Sequence, residues 1–262
     1  MDAKDRRQAI IDWVLRDGSV SNEELVSALG VSQMTIYRDF DLLEKEGWLR
    51  KMRGGATASP SALFERNVMF REREHQDEKA AVAHLALKDI EPGQAVFLDD
   101  STTDLQLARM LPNRAPLTVI TNSVSVIDVL SSEQDLKIIA LGGTYSHAYN
   151  AFIGTATSNA ARPFKADVAF VSTSAVTEGI CYHQSQDIIV VKQAMMASAR
   201  RRVLLVDSSK FERQALYEFS PLTAFDLVIV DGSIDRSHIA GMHEAGVELA
   251  IAEPGGSGNR PD

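Results

Sequence analysis

The sequence predicts an α/β protein in two parts: a helix-turn-helix head winged by a short strand pair over residues 1–57, and a mainly parallel sheet alternating with helices over 75–252. Three observations predict it. Amphipathic stretches with capping residues and glycine stops fill residues 4–47. A basic segment, WLRKMRGG, follows directly. Beyond residue 94, seven short apolar runs then alternate with helix-like segments, the pattern of a parallel sheet. Residues 58–74 read as a linker and 253–262 as a Pro/Gly-rich flexible tail.

In the head, Ile10, Ile11, Val14 and Leu15 recur at helical spacing between Lys4 and Arg16, and Gly18 stops that helix. Ser21 and Glu24 form a capping-box pattern that opens a short second helix over Leu25, Ala28 and Leu29, ended by Gly30. Ser32 is the next N-cap, and Ile36, Phe40 and Leu43 carry the third helix toward Gly47. A turn of three or four residues between helices two and three is what a helix-turn-helix requires. Trp48 and Leu49 then predict a buried strand, and the Gly-Gly turn after it a wing.

With Ile36, Phe40 and Leu43 facing inward, Met34, Arg38 and Asp41 point outward and Thr35 and Tyr37 lie on the flanks. The N-terminal part of such a helix reaches base edges in the major groove, which makes Gln33, Met34, Thr35, Tyr37 and Arg38 the candidate DNA contacts. Arg38 suits guanine or phosphate, and Gln33 suits adenine. Arg50, Lys51 and Arg53 on the wing suit phosphates. The acids Asp41, Glu44 and Glu46 come later, in the half of the helix that need not touch the duplex.

The seven runs are AVFLD (95–99), LTVI (117–120), KIIAL (137–141), DVAFV (167–171), VLLVD (203–207), DLVIV (226–230) and VELAI (247–251). Most end in polar clusters: LDDSTTD, TNS, GGTYS, VSTSA and DSSKF. Open α/β sheets bind ligands beyond the carboxyl ends of their strands, where amides and hydroxyls suit an anion. One pocket built from several loops is therefore expected.

The net charge is -9, and the 1–57 segment holds nine Lys/Arg against ten Asp/Glu, so nearly all the acidity belongs to the larger part. That disfavours indiscriminate coating of DNA and leaves contact to the wing and third helix. No apolar run approaches the ~18 residues of a membrane span. MDAKDRRQAI lacks the apolar stretch of a secretory signal and Cys181 has no internal partner, so no membrane association and a cytoplasmic location are expected.

The order LGVSQMTIYRDFDLLEKEGWLRKMRGGA resembles the winged helix-turn-helix of DeoR-type bacterial transcriptional regulators, whose usual wording is close to VS-x-x-TIRRDL-x-x-LE-x-x-G-x-L-x-R-x-HGGA. Val31, Ser32, Thr35, Ile36, Arg38, Asp39, Leu43, Glu44, Gly47, Leu49, Gly54, Gly55 and Ala56 match. Tyr37 stands where an arginine is common, removing a charge from the reading surface, and Arg53 where histidine is frequent. The resemblance covers about residues 5–252. It implies an effector domain similar to the ribose-5-phosphate isomerase class of fold, sensing a phosphorylated sugar or related polyol.

Family wording D-S-G-T-T matches Asp99, Thr102 and Thr103; Thr121, Asn122 and Ser123 match TNS, and Gly142 and Gly143 the glycine pair. Lys192 and Lys210 fall on matching lysines that would meet a phosphate or ring oxygen. Asp100 and Ser101 replace the family's Ser-Gly, and together with Ser172 and Thr173 they complete the candidate ligand set. Asp99, Asp100 and Asp104 put three carboxylates in six residues, an unfavourable neighbourhood for phosphate. Either some of them face sugar hydroxyls, the preferred reading, or the ligand is less anionic than the family norm.

The resulting expectation is a ligand-responsive regulator, most simply a repressor of a carbohydrate-use operon, working as a homodimer or homotetramer on repeated half-sites. No cofactor, metal or catalytic residue is expected. The rivals are a sugar-phosphate isomerase using Asp99 with Lys192 or Lys210, and an architectural DNA-binding module insensitive to small molecules. Cys181 and His183 have no second pair at ligand spacing, and Cys181 reads as a partly buried small residue. Lys192 and Lys210 have the alternative of a solvated surface.

Overall fold

The computed structural model describes residues 2–45, 48–58, 71–72 and 74–253, without the side chains of residues 15, 16 and 58. The chain divides into two compact units near residue 71. Most of the expected linker, and the tail beyond residue 253, lie outside the described residues.

The head opens with α1 (Ala3–Asp17), whose first amides are met by the Asp2 carboxylate at 2.7 and 2.8 Å and which Gly18 ends in the left-handed region at φ 79°. After β1 (Ser19–Ser21), α2 (Asn22–Leu29) starts on the expected capping box: Glu24 N donates to Ser21 Oγ and Ser21 N to Glu24 Oε2. Gly30 ends it, and α3 (Gln33–Lys45) begins with Thr35 N donating to Ser32 Oγ at 3.2 Å. The wing is β2 (Leu49–Met52) and β3 (Gly55–Ala58), an antiparallel pair turning at 53–54.

Ile10, Leu25, Ile36, Phe40, Leu43 and Leu49 are wholly buried together. Two features were not expected. β1 pairs with β3, so the wing is a three-stranded sheet in the order β1-β3-β2. Asp39, on the inner side of α3, is buried and receives Arg6 Nε at 2.6 Å, tying α3 to α1. Gly55 runs so close to β1 that a Cβ would stand 2.1 Å from the Val20 carbonyl, which explains a glycine there.

The larger unit begins with α4 (Gln76–Ala86) and then alternates: β4 (Ala95–Leu98), α5 (Thr102–Ala108), β5 (Leu117–Thr121), α6 (Val124–Leu130) and β6 (Leu136–Ala140). A hairpin of β7 (Thr144–Ser146) and β8 (Ala151–Ile153) leads into α7 (Gly154–Ala161) and β9 (Ala166–Val171). Next come β10 (Ala175–Thr177), β11 (Ile180–His183), α8 (Gln186–Ala197) and β12 (Ala199–Val206). β13 (Tyr217–Pro221), β14 (Leu227–Asp231), α9 (Arg236–Glu244) and β15 (Leu249–Ala252) complete it.

All seven expected strands form one parallel sheet in the order β15-β14-β12-β9-β4-β5-β6. Both faces are covered. Val96, Leu98, Val119, Val168 and Phe170 pack with Val82, Leu105 and Val126 of α4, α5 and α6. Phe97, Ile120 and Ala169, pointing the other way, pack with Ala161, Val191 and Met195 of α7 and α8. A strand buried on two faces reads as a continuous apolar run, which is why the runs were legible. A small antiparallel sheet, β10-β11-β13, was not expected.

The strand order fixes where the chain changes direction. From β4 it steps outward through β5 to β6, then returns to the other side of β4 as β9 and proceeds through β12 and β14 to β15. The switch point is the crevice between the carboxyl ends of β4 and β9, the usual ligand position in open α/β sheets. Among the described residues no helix is long and apolar enough to cross a membrane.

Candidate functional site

On the head, the outward face of α3 is open. Gln33, Met34, Tyr37 and Arg38 are exposed, Met34 by 63% and Tyr37 by 42%, which is unusual for apolar and aromatic side chains without a partner surface. Thr35 is half-buried, its Oγ1 2.9 Å from Ser32 Oγ, so it belongs to the cap as much as to the face. The wing cations Arg50, Lys51 and Arg53 are all exposed.

They are not equivalent. Lys51 Nζ is hydrogen-bonded to Asp41 and lies 3.5 Å from Glu44 Oε2, and Lys51 N donates to Glu44 Oε1 at 2.7 Å. The Asp41 hydrogen bond, above all, raises the Lys51 pKa. The later acids of α3 therefore hold the wing, while Arg38, Arg50 and Arg53 carry no ion pair among the described residues.

At the sheet edge, Leu98 pairs in register with Thr121 on one side and with Phe170 on the other. The residues that follow, Asp99–Asp104, Asn122–Ser123 and Ser172–Thr173, thus leave the sheet as neighbours, and all are buried. Asp99 accepts on both oxygens: Oδ1 from Ser101 N and Oδ2 from Ser172 N, each at 2.7 Å, and Lys192 Nζ also donates to Oδ2. Lys192, on α8, is 2% exposed, so the solvated alternative does not hold. Its Nζ is also 3.4 Å from Asp100 Oδ1. Burial would lower the Lys192 pKa, but the Asp100 and Asp99 charges outweigh it and the value is raised.

Asp104 is the third carboxylate, wholly buried, its Oδ2 accepting from Asp99 N at 2.8 Å. Burial and the Asp99 charge push its pKa well above the ordinary 3.8. The folded chain keeps a proton here that the unfolded chain releases, so this group favours folding in acid and that contribution fades as pH rises through the raised value. Asp104→Asn keeps the acceptor and removes the titration. Its stability relative to the parent is expected to rise as pH climbs above about 4, the ordinary carboxylate value, read by urea denaturation; a pH-independent difference would contradict the assignment.

The hydroxyls nearby serve the backbone. Ser101 Oγ accepts from Asp104 N at the start of α5, Thr121 Oγ1 accepts from Ser123 N, and Ser123 Oγ caps α6 through Val126 N. Thr102 and Thr103 are buried in the first turn of α5. Thr173 donates to Tyr182 O at 2.8 Å, pinning the β10–β11 hairpin.

Two parts of the expected set lie apart. Lys210 follows β12, two strands from β4; it is buried rather than solvated and stands 3.5 Å from Asp207. Burial would raise the Asp207 pKa, but the Lys210 charge and the Ser209 hydroxyl overcome it and the value falls below the ordinary range. Ser208 donates through both N and Oγ to Asp231. On the opposite side, Gly142 and Gly143 follow β6 and are exposed; Gly143, at φ 154°, lies so close to α7 that a Cβ would be 2.0 Å from Thr157 Oγ1. Cys181 is wholly buried, not partly, and burial pushes its thiol up to about 12, where it is inert.

Residues 6–62 match the DeoR-like helix-turn-helix domain, and residues 74–232 the DeoR C terminal sensor domain. The chain belongs to the DeoR family. One relative, the uncharacterized HTH-type transcriptional regulator YgbI of Escherichia coli (strain K12), is 30% identical over 95% of this chain and 98% of its own. The lactose phosphotransferase system repressor of Lactococcus lactis subsp. lactis is 32% identical over 91% of this chain and 95% of its own. Among solved structures, ribose 5-phosphate isomerase A from Methanocaldococcus jannaschii overlaps 53% of this chain and 55% of its own at 19% identity, with a TM-score of 0.40.

Like its DeoR relatives this chain is a DNA-binding transcriptional regulator with a sensor domain, rather than an enzyme. In the pair named by the isomerase rival, Asp99 accepts from Ser101 N, Ser172 N and Lys192 Nζ, so the carboxylate and the lysine hold one another.

Proposed function

We propose that this DeoR-family regulator is a cytoplasmic repressor of a carbohydrate-use operon, released from its operator by a phosphorylated sugar or related polyol. The observation that carries the DNA half is the exposed Gln33, Met34, Tyr37 and Arg38 face of α3 beside a wing whose Arg50 and Arg53 are unpaired among the described residues. A single winged helix makes too few base contacts for specific control, so homodimers or homotetramers on repeated half-sites are the working form. The effector half rests on the buried polar cluster at the β4–β9 switch point and on a relative named as a sugar-system repressor.

Release requires the effector to bind the DNA-free state more tightly than the bound one. Two ion pairs support a route. Arg109, closing α5, pairs with Glu72, and Arg213, after the Asp207 loop, pairs with Glu74. Both glutamates lie at the start of the larger unit, and each ties it to a loop of that same unit. Exposed pairs are worth roughly 0–1 kcal/mol, weak enough to be exchanged on ligand binding.

Fluorescence anisotropy with DNA from upstream of the gene, against shuffled DNA of equal length, tests the reading. Arg38→Ala is expected to weaken specific binding by about 1–3 kcal/mol and relax the preference. Arg50→Ala should weaken both DNAs alike and lower the salt slope by about one. No preference for the upstream DNA at any ionic strength would refute the proposal, as would failure of every sugar phosphate to displace the DNA.

A further inference from the structure

Three buried acceptor atoms in the switch-point cluster have no hydrogen-bond donor among the described residues: Asp100 Oδ1, Asp104 Oδ1 and Asn122 Oδ1. All three side chains belong to residues more than nine-tenths buried. An unmet buried acceptor is costly, so a group of them is unusual unless a guest brings the donors. Asp104 is disfavoured as a charged group by its burial and by the Asp99 charge, which raise its pKa. Asp100 and Asn122 remain.

Asn122 is the more telling of the two because it is not an acid. Its Nδ2 donates to Phe152 O at 2.9 Å, which fixes the amide and leaves Oδ1 as the open end. Asp100 Oδ1, 3.4 Å from Lys192 Nζ, is within charge attraction but outside hydrogen-bond geometry. Asp99 and Asp100 share that one ammonium, two carboxylates against a single cation. No three acids, histidines or cysteines among the described residues are arranged to hold a metal ion.

We infer that Asp100 and Asn122 form an acceptor-only subsite that receives the hydrogen-donating end of the effector, a protonated amine or a pair of hydroxyls, and turns its phosphate away. The inference rests on the proposed reading of this cluster as the effector pocket. A phosphate brings only acceptors and negative charge, and at 4 Å from a carboxylate the repulsion is about 4 kcal/mol at an effective dielectric near 20. A hydroxyl pair would satisfy both open oxygens. An ammonium would satisfy them and bring the two carboxylates a second cation as well.

The test is calorimetric titration of the full-length protein with inorganic phosphate, ribose 5-phosphate and its 2-deoxy counterpart, and glucose 6-phosphate with its 2-amino and 2-deoxy counterparts. The expected result is no measurable binding of inorganic phosphate, and at least tenfold weaker binding of a deoxy compound than of its donor-bearing parent (~1.4 kcal/mol). In Asp100→Ser, which removes the carboxylate and leaves a small hydroxyl, that gap should shrink below about threefold (~0.7 kcal/mol). Asp100→Asn keeps the acceptor without the charge: an amine ligand then loses about tenfold or more, whereas a hydroxyl ligand stays within about threefold. Deoxy compounds binding as well as their parents, or an unchanged ranking in Asp100→Ser, would overturn the subsite while leaving the effector reading standing. If none of the esters binds the parent protein, both fall together.

Discussion

Lys192→Met is expected to destabilise the larger unit by about 3–5 kcal/mol at neutral pH, because it strips the one ammonium from two buried carboxylates. Methionine fills nearly the same volume, so lost packing is a small part of the effect. What matters is charge. Asp99 retains its two amide donors, but Asp100 Oδ1 has no hydrogen-bond donor among the described residues and is left beside the Asp99 charge. Adding Asp100→Asn to Lys192→Met should therefore recover a substantial fraction of the loss, and a double-mutant cycle measures it. The pair also sets a pH window. The folded Lys192 pKa is raised above its ordinary 10.5, so its contribution is complete below that value and is lost as pH climbs through the higher folded one. Guanidinium denaturation followed by circular dichroism at neutral pH is the measurement; a loss under about 1 kcal/mol would mean the pair offsets no more than its own desolvation.

The burial of Lys192 had a signal in the sequence. Residues 188–196 read IIVVKQAMM, and the positions three and four away from Lys192 on a helix, Ile188, Ile189, Met195 and Met196, are all apolar, which puts the lysine on the buried side while Val190 and Gln193 face out. A lysine inside such a run needs a carboxylate, and DD at 99–100 supplies two. The seven parallel strands were legible for a related reason, since burial on both faces leaves nothing but apolar residues to read. Caps were legible too, because Ser21 with Glu24 satisfies amides within four residues.

What was hidden depends on distant partners. β1 is three residues, SVS, and exists because Thr57 and Gly55 come back to pair with it. β10 and β11 turn through Glu178 and Gly179, both at positive φ, and glutamate is a poor advertisement for such a turn. β13, their third member, arrives more than thirty residues later. Asp39 stands three residues from Ile36 and four from Leu43, on the inner side of α3, and what the sequence hides is its partner, Arg6, which comes from α1. The polar clusters were correctly placed at strand ends, but the sequence could not tell that the Asp207 loop spends its hydroxyls on Asp207 and Asp231.

Phe40→Ala tests the other unit and should be the more drastic change in function. Phe40 is wholly buried at the centre of a core that also holds Ile10, Leu25, Ile36, Leu43 and Leu49. Truncating a buried phenylalanine costs about 3–5 kcal/mol. A hydrophobic core in a domain of this size rarely supplies more than about 3–5 kcal/mol in total, so the head is expected to unfold while the larger unit stands. The chain contains a built-in reporter: its two tryptophans, Trp13 and Trp48, both pack against the head core. In Phe40→Ala their emission should shift to the red at low denaturant, with binding of upstream DNA lost, while circular dichroism still shows the transition of the larger unit at its parental midpoint. Arg38→Ala supplies the contrast, weakened DNA binding with unshifted tryptophan emission, because Arg38 is exposed and outside the core. Parental emission and parental DNA affinity in Phe40→Ala would show that α3 does not depend on this core for its placement, and the assignment of the DNA-reading face to a helix held by Ile36, Phe40 and Leu43 would fail with it.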